Sequence, residues 1–109
     1  MKTLQIRKLD YKLVHEMRLM CKVYDQAISE YLTGLVALSP CQIFRYHGKG
    51  EIALNIECPD EWHSRYKTDC NASGISMQKS IKNQIYADIE SAKLHIPGFR
   101  AMCEYLEAK

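Results

Sequence analysis

DYKLVHEMRLMCKVYDQAISEYLTG, residues 10–34, is the longest stretch of the chain with helical periodicity. Its apolar side chains recur at Leu13, Met17, Met20, Tyr24, Ala27 and Tyr31, in steps of four and three, and Val14, Cys21, Ile28 and Leu32 widen the stripe. Asp10 can accept a hydrogen bond from an orphan N–H at the start, and Gly34 can take the left-handed conformation that closes a helix. The pattern predicts one amphipathic helix of about 36 Å. It would serve as the packing spine, with Tyr24 and Tyr31 turned into the core.

Before the spine, TLQIRKL (residues 3–9) alternates Leu4 and Ile6 with polar neighbours, the pattern of a half-buried strand. After it, an apolar connector stops at Pro40. Residues 41–58 predict a hairpin, with CQIFRY and EIALNIEC flanking His47-Gly48-Lys49-Gly50, whose two glycines supply the positive φ of a tight turn. The second strand puts Ile52, Leu54, Ile56 and Cys58 on one face. A turn or two of helix is expected in DEWHSRYKTDC, with Trp62 and Tyr66 stacked four residues apart, followed by a loop over residues 71–74. Ser76 caps a second long helix whose apolar positions are Met77, Ile81, Ile85, Ile89 and Ala92, and which ends at Pro97-Gly98. Phe99, Met102, Cys103 and Leu106 mark a short C-terminal helix. The expected architecture is one compact α+β domain over residues 1–109. A short N-terminal strand and a β-hairpin form a small antiparallel or mixed sheet, covered on one face by two long helices and the short C-terminal one.

Composition bounds the possible functions. With 109 residues, 47% apolar and 26% charged, the chain is large enough to bury a core and too apolar to be disordered. A net charge of +2, from 15 basic and 13 acidic residues, does not by itself call for a polyanionic partner. The start MKTLQIRK lacks the apolar core of a secretion signal, and no window approaches a membrane span. Five cysteines with no close pair suit reduced thiols, so a cytoplasmic location without membrane contact is expected.

Catalytic signatures are sparse. Cys58, His63 and Cys70 are metal-ligating types, with Cys41 or His47 as a fourth ligand. They lack the CxxC-type pair that holds two ligands at chelating distance, so no metal and no cofactor is expected. HGKG suits a turn better than a phosphate loop, because no helix follows it. Cys21 and Cys103 sit on apolar helix faces as small hydrophobes. The chain reads as a non-enzyme. Its basic residues carry more information: Lys8, Lys12, His15, Arg18 and Lys22 recur every three or four residues near one edge of the spine, and Lys79, Lys82 and Lys93 do so on the second helix. Such stripes neutralise phosphates, and they also occur as plain solvated faces.

Two segments together resemble the amino-terminal region of TnpB-type transposon-encoded RNA-guided nucleases. Gln5-Ile6-Arg7 leads into Val23-Tyr24-Asp25-Gln26-Ala27, as that family's strand with an aliphatic-Arg pair leads into a helix bearing a Val-Tyr-Asn-like tripeptide. Later, Met77-Gln78-Lys79-Ser80-Ile81-Lys82-Asn83 with Ala87, then Pro97-Gly98-Phe99-Arg100, is similar to the family's LQxSLKNxxxAY helix and GFPRFR. The resemblance implies a non-catalytic, nucleic-acid-associated module from a mobile-element or phage-like context. Such a module holds guide RNA or target DNA without the family's RuvC-like nuclease domain. Lys8, Lys12, Arg18, Lys22, Lys79 and Lys82 are the expected phosphate contacts. The alternative is a small protein-interaction domain, such as an inhibitor, immunity protein or oligomerising adaptor, anchored by Trp62, Tyr66 and Tyr86.

Overall fold

The computed structural model describes residues 1–40 and 46–107. In chain order these form β1 (Lys2–Leu9), α1 (Tyr11–Val23), α2 (Ile28–Leu38), β2 (Ile52–Cys58), α3 (Asp60–Ser73), α4 (Met77–His95) and α5 (Phe99–Glu107). The class is α+β, as expected. β1 pairs with β2 antiparallel, from Lys2 opposite Cys58 to Leu9 opposite Ile52. Of the first strand of the expected hairpin, residues 41–46, only Tyr46 is among the described residues, and it lies outside any strand.

The largest correction concerns the spine. It is two helices, because α1 stops after Val23, where Asp25 takes the left-handed conformation (φ 53°). Gln26 N–H donates to Cys21 O (2.9 Å) and Asp25 N–H to Lys22 O (3.1 Å), the paired bonds of a Schellman cap built on a non-glycine residue. Aspartate tolerates this conformation better than most side chains, yet it adds a negative charge at the carbonyl end of the helix dipole. Substituting Asp25→Gly is therefore expected to stabilise the protein by about 1 kcal/mol, read by chemical denaturation. The break leaves Tyr24 57% exposed instead of in the core. Tyr31, on α2, is half-buried and donates to Asp88 Oδ2 of α4 at 2.5 Å; burial and that carboxylate push its phenol well above the ordinary range. Gly34 lies inside α2, and Ser39, also left-handed, closes that helix.

The organising role passes to α4. Ser76 caps it by accepting from Lys79 N–H (3.1 Å), and Ile81, Ile85, Ile89 and Ala92 are buried against β1, α1, α3 and α5. α2 packs on β2, and Leu4, Ile6, Leu9, Ile56 and Cys58 form the buried face of the sheet. α3 is longer than expected, at 14 residues. Asp60 and Glu61 suit the positive end of its dipole, and the loop expected over residues 71–74 is its last turn, closed by left-handed Gly74. Its apolar stripe is narrow: only Tyr66 and Cys70 are buried on an otherwise polar helix. Tyr66 O–H bonds Ser80 Oγ (2.6 Å), and Ser80 in turn bonds Pro40 O (2.6 Å), tying α3, α4 and the end of the α2 connector together. Between α1 and α4, Lys93 Nζ meets Glu16 Oε2 at 2.7 Å in a nearly buried ion pair, with Glu90 at 3.5 Å.

A candidate anion-binding cleft

In β1 the alternation that buries Leu4 and Ile6 would next bury Lys8. It does not, because the strand carries a β-bulge: from Ile6 to Leu9 it advances three residues while β2 advances two, from Leu54 to Ile52. Lys8 absorbs the extra residue at φ 59°. Arg7 and Lys8 both point to solvent as a result, and Leu9 returns to the core.

Two other parts of the chain face this pair of cations. The first is the start of α4, where Lys79 and Lys82 lie one turn apart on the same side. No acidic residue stands in that helix's first turn, so its positive dipole end is uncompensated there. The second is residues 46–51, which bring His47 and Lys49. That segment is held at both ends. Tyr46 N–H donates to the buried Asn83 Oδ1 (3.0 Å), Tyr46 O–H to Asp10, and the Tyr46 ring packs on Tyr86 with centroids 5.3 Å apart. Burial and Asp10 raise the Tyr46 phenol above its ordinary range. At the other end Gly50 N–H donates to Lys8 O (3.2 Å), and a Cβ on Gly50 would overlap Leu9 O and Asp10 Cα. Close approach of backbones requires the glycine here. The positive φ expected of Gly48 and Gly50 belongs instead to Gly74 and Gly98.

The strand and the helix are locked together by one side chain. Gln78 Oε1 accepts from Arg7 N–H (3.0 Å) and its Nε2 donates to Gln5 O, while Arg7 Nε donates to Gln5 Oε1 (2.6 Å). The result is a cleft of about 900 Å³ whose described lining includes Arg7, Lys8, Lys49, Lys79 and Lys82, against Glu51 as the one carboxylate. Burial and the nearby charge of Lys8 lower the proton affinity of Lys82. Such crowding of like charge is unfavourable by itself and is relieved by an anion.

Of the six expected phosphate contacts, Lys8, Lys79 and Lys82 meet in this cleft. Lys12 lies across the Tyr46–Gly48 wall, in a smaller recess with Asp10, Glu16 and Glu90. Arg18 and Lys22 are exposed on α1 and line neither space. Arg7 and Lys49 belong to the cleft and were absent from the sequence-based set. Strict alternation would have put Arg7 and Lys8 on opposite faces, and Lys49 sits in a stretch that reads as a turn.

The expected protein anchors fare differently. Tyr66 is fully buried and cannot touch a partner in this fold, Tyr86 is half-covered by Tyr46, and Trp62 is half-buried beside α2. Cys58 and Cys70 are buried in the core. Among the described residues no three His, Cys, Asp or Glu side chains gather closely enough to hold a metal ion. Burial raises the thiol pKa of Cys21 and of Cys58, which keeps both protonated at neutral pH. Among the described residues no helix is long and apolar enough to cross a membrane. No model of a known protein family, no curated protein and no solved structure matches the chain.

Proposed function

We propose that the chain is a non-catalytic nucleic-acid-binding module that holds phosphates in the cleft between β1, residues 46–51 and the start of α4. One observation carries the reading: five cations from three separate parts of the chain converge on one concavity, although the whole protein is nearly neutral. A solvated lysine face needs no such convergence. The Gln5-Ile6-Arg7 and Met77 to Asn83 segments that resemble TnpB-type proteins also supply Arg7, Lys79 and Lys82, which fits a mobile-element or phage-like setting with guide RNA or target DNA as partner. Contacts of this kind position a backbone without reading bases. Titration of labelled structured RNA and duplex DNA in rising salt tests the proposal. Binding should be measurable at about 50 mM salt and fall steeply by 200 mM. Absence of binding at the lower salt would end it.

A second reading, association with a protein or with another copy of the chain, rests on an apolar hollow formed by Leu19, Ala101, Met102 and Tyr105, in which Tyr105 is 61% and Met102 43% exposed. Light scattering across a concentration series addresses it. A strict monomer at all concentrations would count against self-association.

A further inference from the structure

The cleft's excess of positive charge ends at one wall. That wall, at Tyr46, His47 and Gly48, is shared with the smaller recess, and beyond it Lys12 stands among Asp10, Glu16 and Glu90, of which Glu16 and Glu90 are already paired with Lys93. A strand that passes through a binding site needs a track of cations along its backbone. Here the cations are gathered at one place, and on this side the recess, where Lys12 and Lys93 nearly balance Asp10, Glu16 and Glu90, does not continue the track. Arg18 and Lys22 do not extend the cleft either.

The packing of the cations indicates what fits. Lys8 and Lys82 come from different elements and line the same space, where burial and the charge of Lys8 disfavour the charged form of Lys82. An internal phosphodiester brings one negative charge to such a pair. A phosphate monoester brings about −1.5 to −2 at neutral pH, with three acceptor oxygens. Arg7 and Lys79 add further donors around the same space, and the Gln78 clamp fixes the distance between their two elements.

We infer that the cleft grips the terminal phosphate monoester of a nucleic-acid strand, which enters from the open side and ends against the Tyr46–Gly48 wall. This rests on the nucleic-acid reading above. The same chemistry is carried by a free mononucleotide, so the test separates the two.

Four internally labelled single-stranded RNAs of one sequence are titrated: 5′-phosphorylated, 3′-phosphorylated, hydroxyl-ended and circular. At least one phosphorylated strand should bind about tenfold more tightly than the hydroxyl-ended and circular forms, the gain of one strong charge-assisted contact. Lys82→Gln should reduce that preference to less than about twofold. Lys79→Gln, at an exposed position, should do the same with the fold intact, checked by thermal denaturation. Equal binding of all four strands overturns the inference and leaves the nucleic-acid reading standing. So does a preference that survives both substitutions. Displacement by a free mononucleotide as effective as by the phosphorylated strand also overturns it, and assigns the cleft to free nucleotides. Failure to bind any of the four overturns the inference, and the titrations with structured RNA and duplex DNA decide the nucleic-acid reading separately.

Discussion

Reversing Lys79 and Lys82 to glutamate together is expected to lower affinity for RNA or DNA at least 100-fold. Each hydrogen bond to a charged group contributes about 1.5–3 kcal/mol, so losing two amounts to about 3 kcal/mol or more before repulsion is counted. The salt dependence should change too. Two fewer neutralised phosphates reduce the slope of log affinity against log salt by about 1.4 on single strands or 1.8 on duplex. Arg18→Glu with Lys22→Glu is the matched control, because both residues are exposed on α1 and outside the cleft. That pair carries the same change in net charge and should leave most of the affinity in place. Equal losses from the two double variants would show that overall charge is responsible and that the cleft is not.

The second large effect is expected in stability. In the ion pair of Lys93 with Glu16 the side chains are only 12% and 7% exposed. Truncating Lys93→Ala strands a buried carboxylate, and the cost of breaking such a pair is about 3–5 kcal/mol. Most domains of this size have a stability of only 5–15 kcal/mol, so the variant should unfold at markedly lower denaturant. Lys93→Met with Glu16→Gln should recover much of the loss, because no uncompensated charge then remains in the core. The pH dependence has a definite sign. Burial alone would lower the lysine's proton affinity, but the hydrogen bond and charge of Glu16, with the charge of Glu90, outweigh it and leave it raised. A raised folded value means that this contribution is complete below the unfolded lysine's 10.5 and is lost as pH climbs past it through the folded value. Denaturation followed above neutral pH should therefore show the wild type losing its advantage over the double variant only in strong alkali.

Most of the elements were legible from the sequence, since periodicity and caps are local signals. Ser76, Pro97-Gly98 and the alternation in residues 52–58 marked their elements correctly. Each departure comes from a place where the backbone does something that side-chain pattern does not encode. The apolar stripe runs on through Tyr24 and Ala27, and nothing in its spacing distinguishes an aspartate on a helix face from one in a left-handed cap. The resulting break is what lets α2 turn back onto β2. α3 was underestimated because two buried residues in 14 give almost no periodic signal, while tertiary packing of Tyr66 and Cys70 is enough to hold it. At the cleft, three of the six expected cations assemble. The bulge at Lys8 and the close approach at Gly50 that complete the set are matters of backbone geometry. Lysine spacing along one helix was the wrong measure, because the site is built across three segments.

The Gln78 amide has a consequence apart from anion binding. A strand's carbonyl at one residue and N–H two residues later face the same side, and together they are what an incoming strand would capture. On β1 those groups are Gln5 O and Arg7 N–H, and Gln78 occupies both. A single side chain thus imitates one residue of a third strand and withholds those two groups from a neighbouring molecule. Exposed edges are where sheets join into aggregates. The residue that holds the cleft's two cationic walls together therefore also acts as a stopper, protecting a small sheet from growing beyond its own chain.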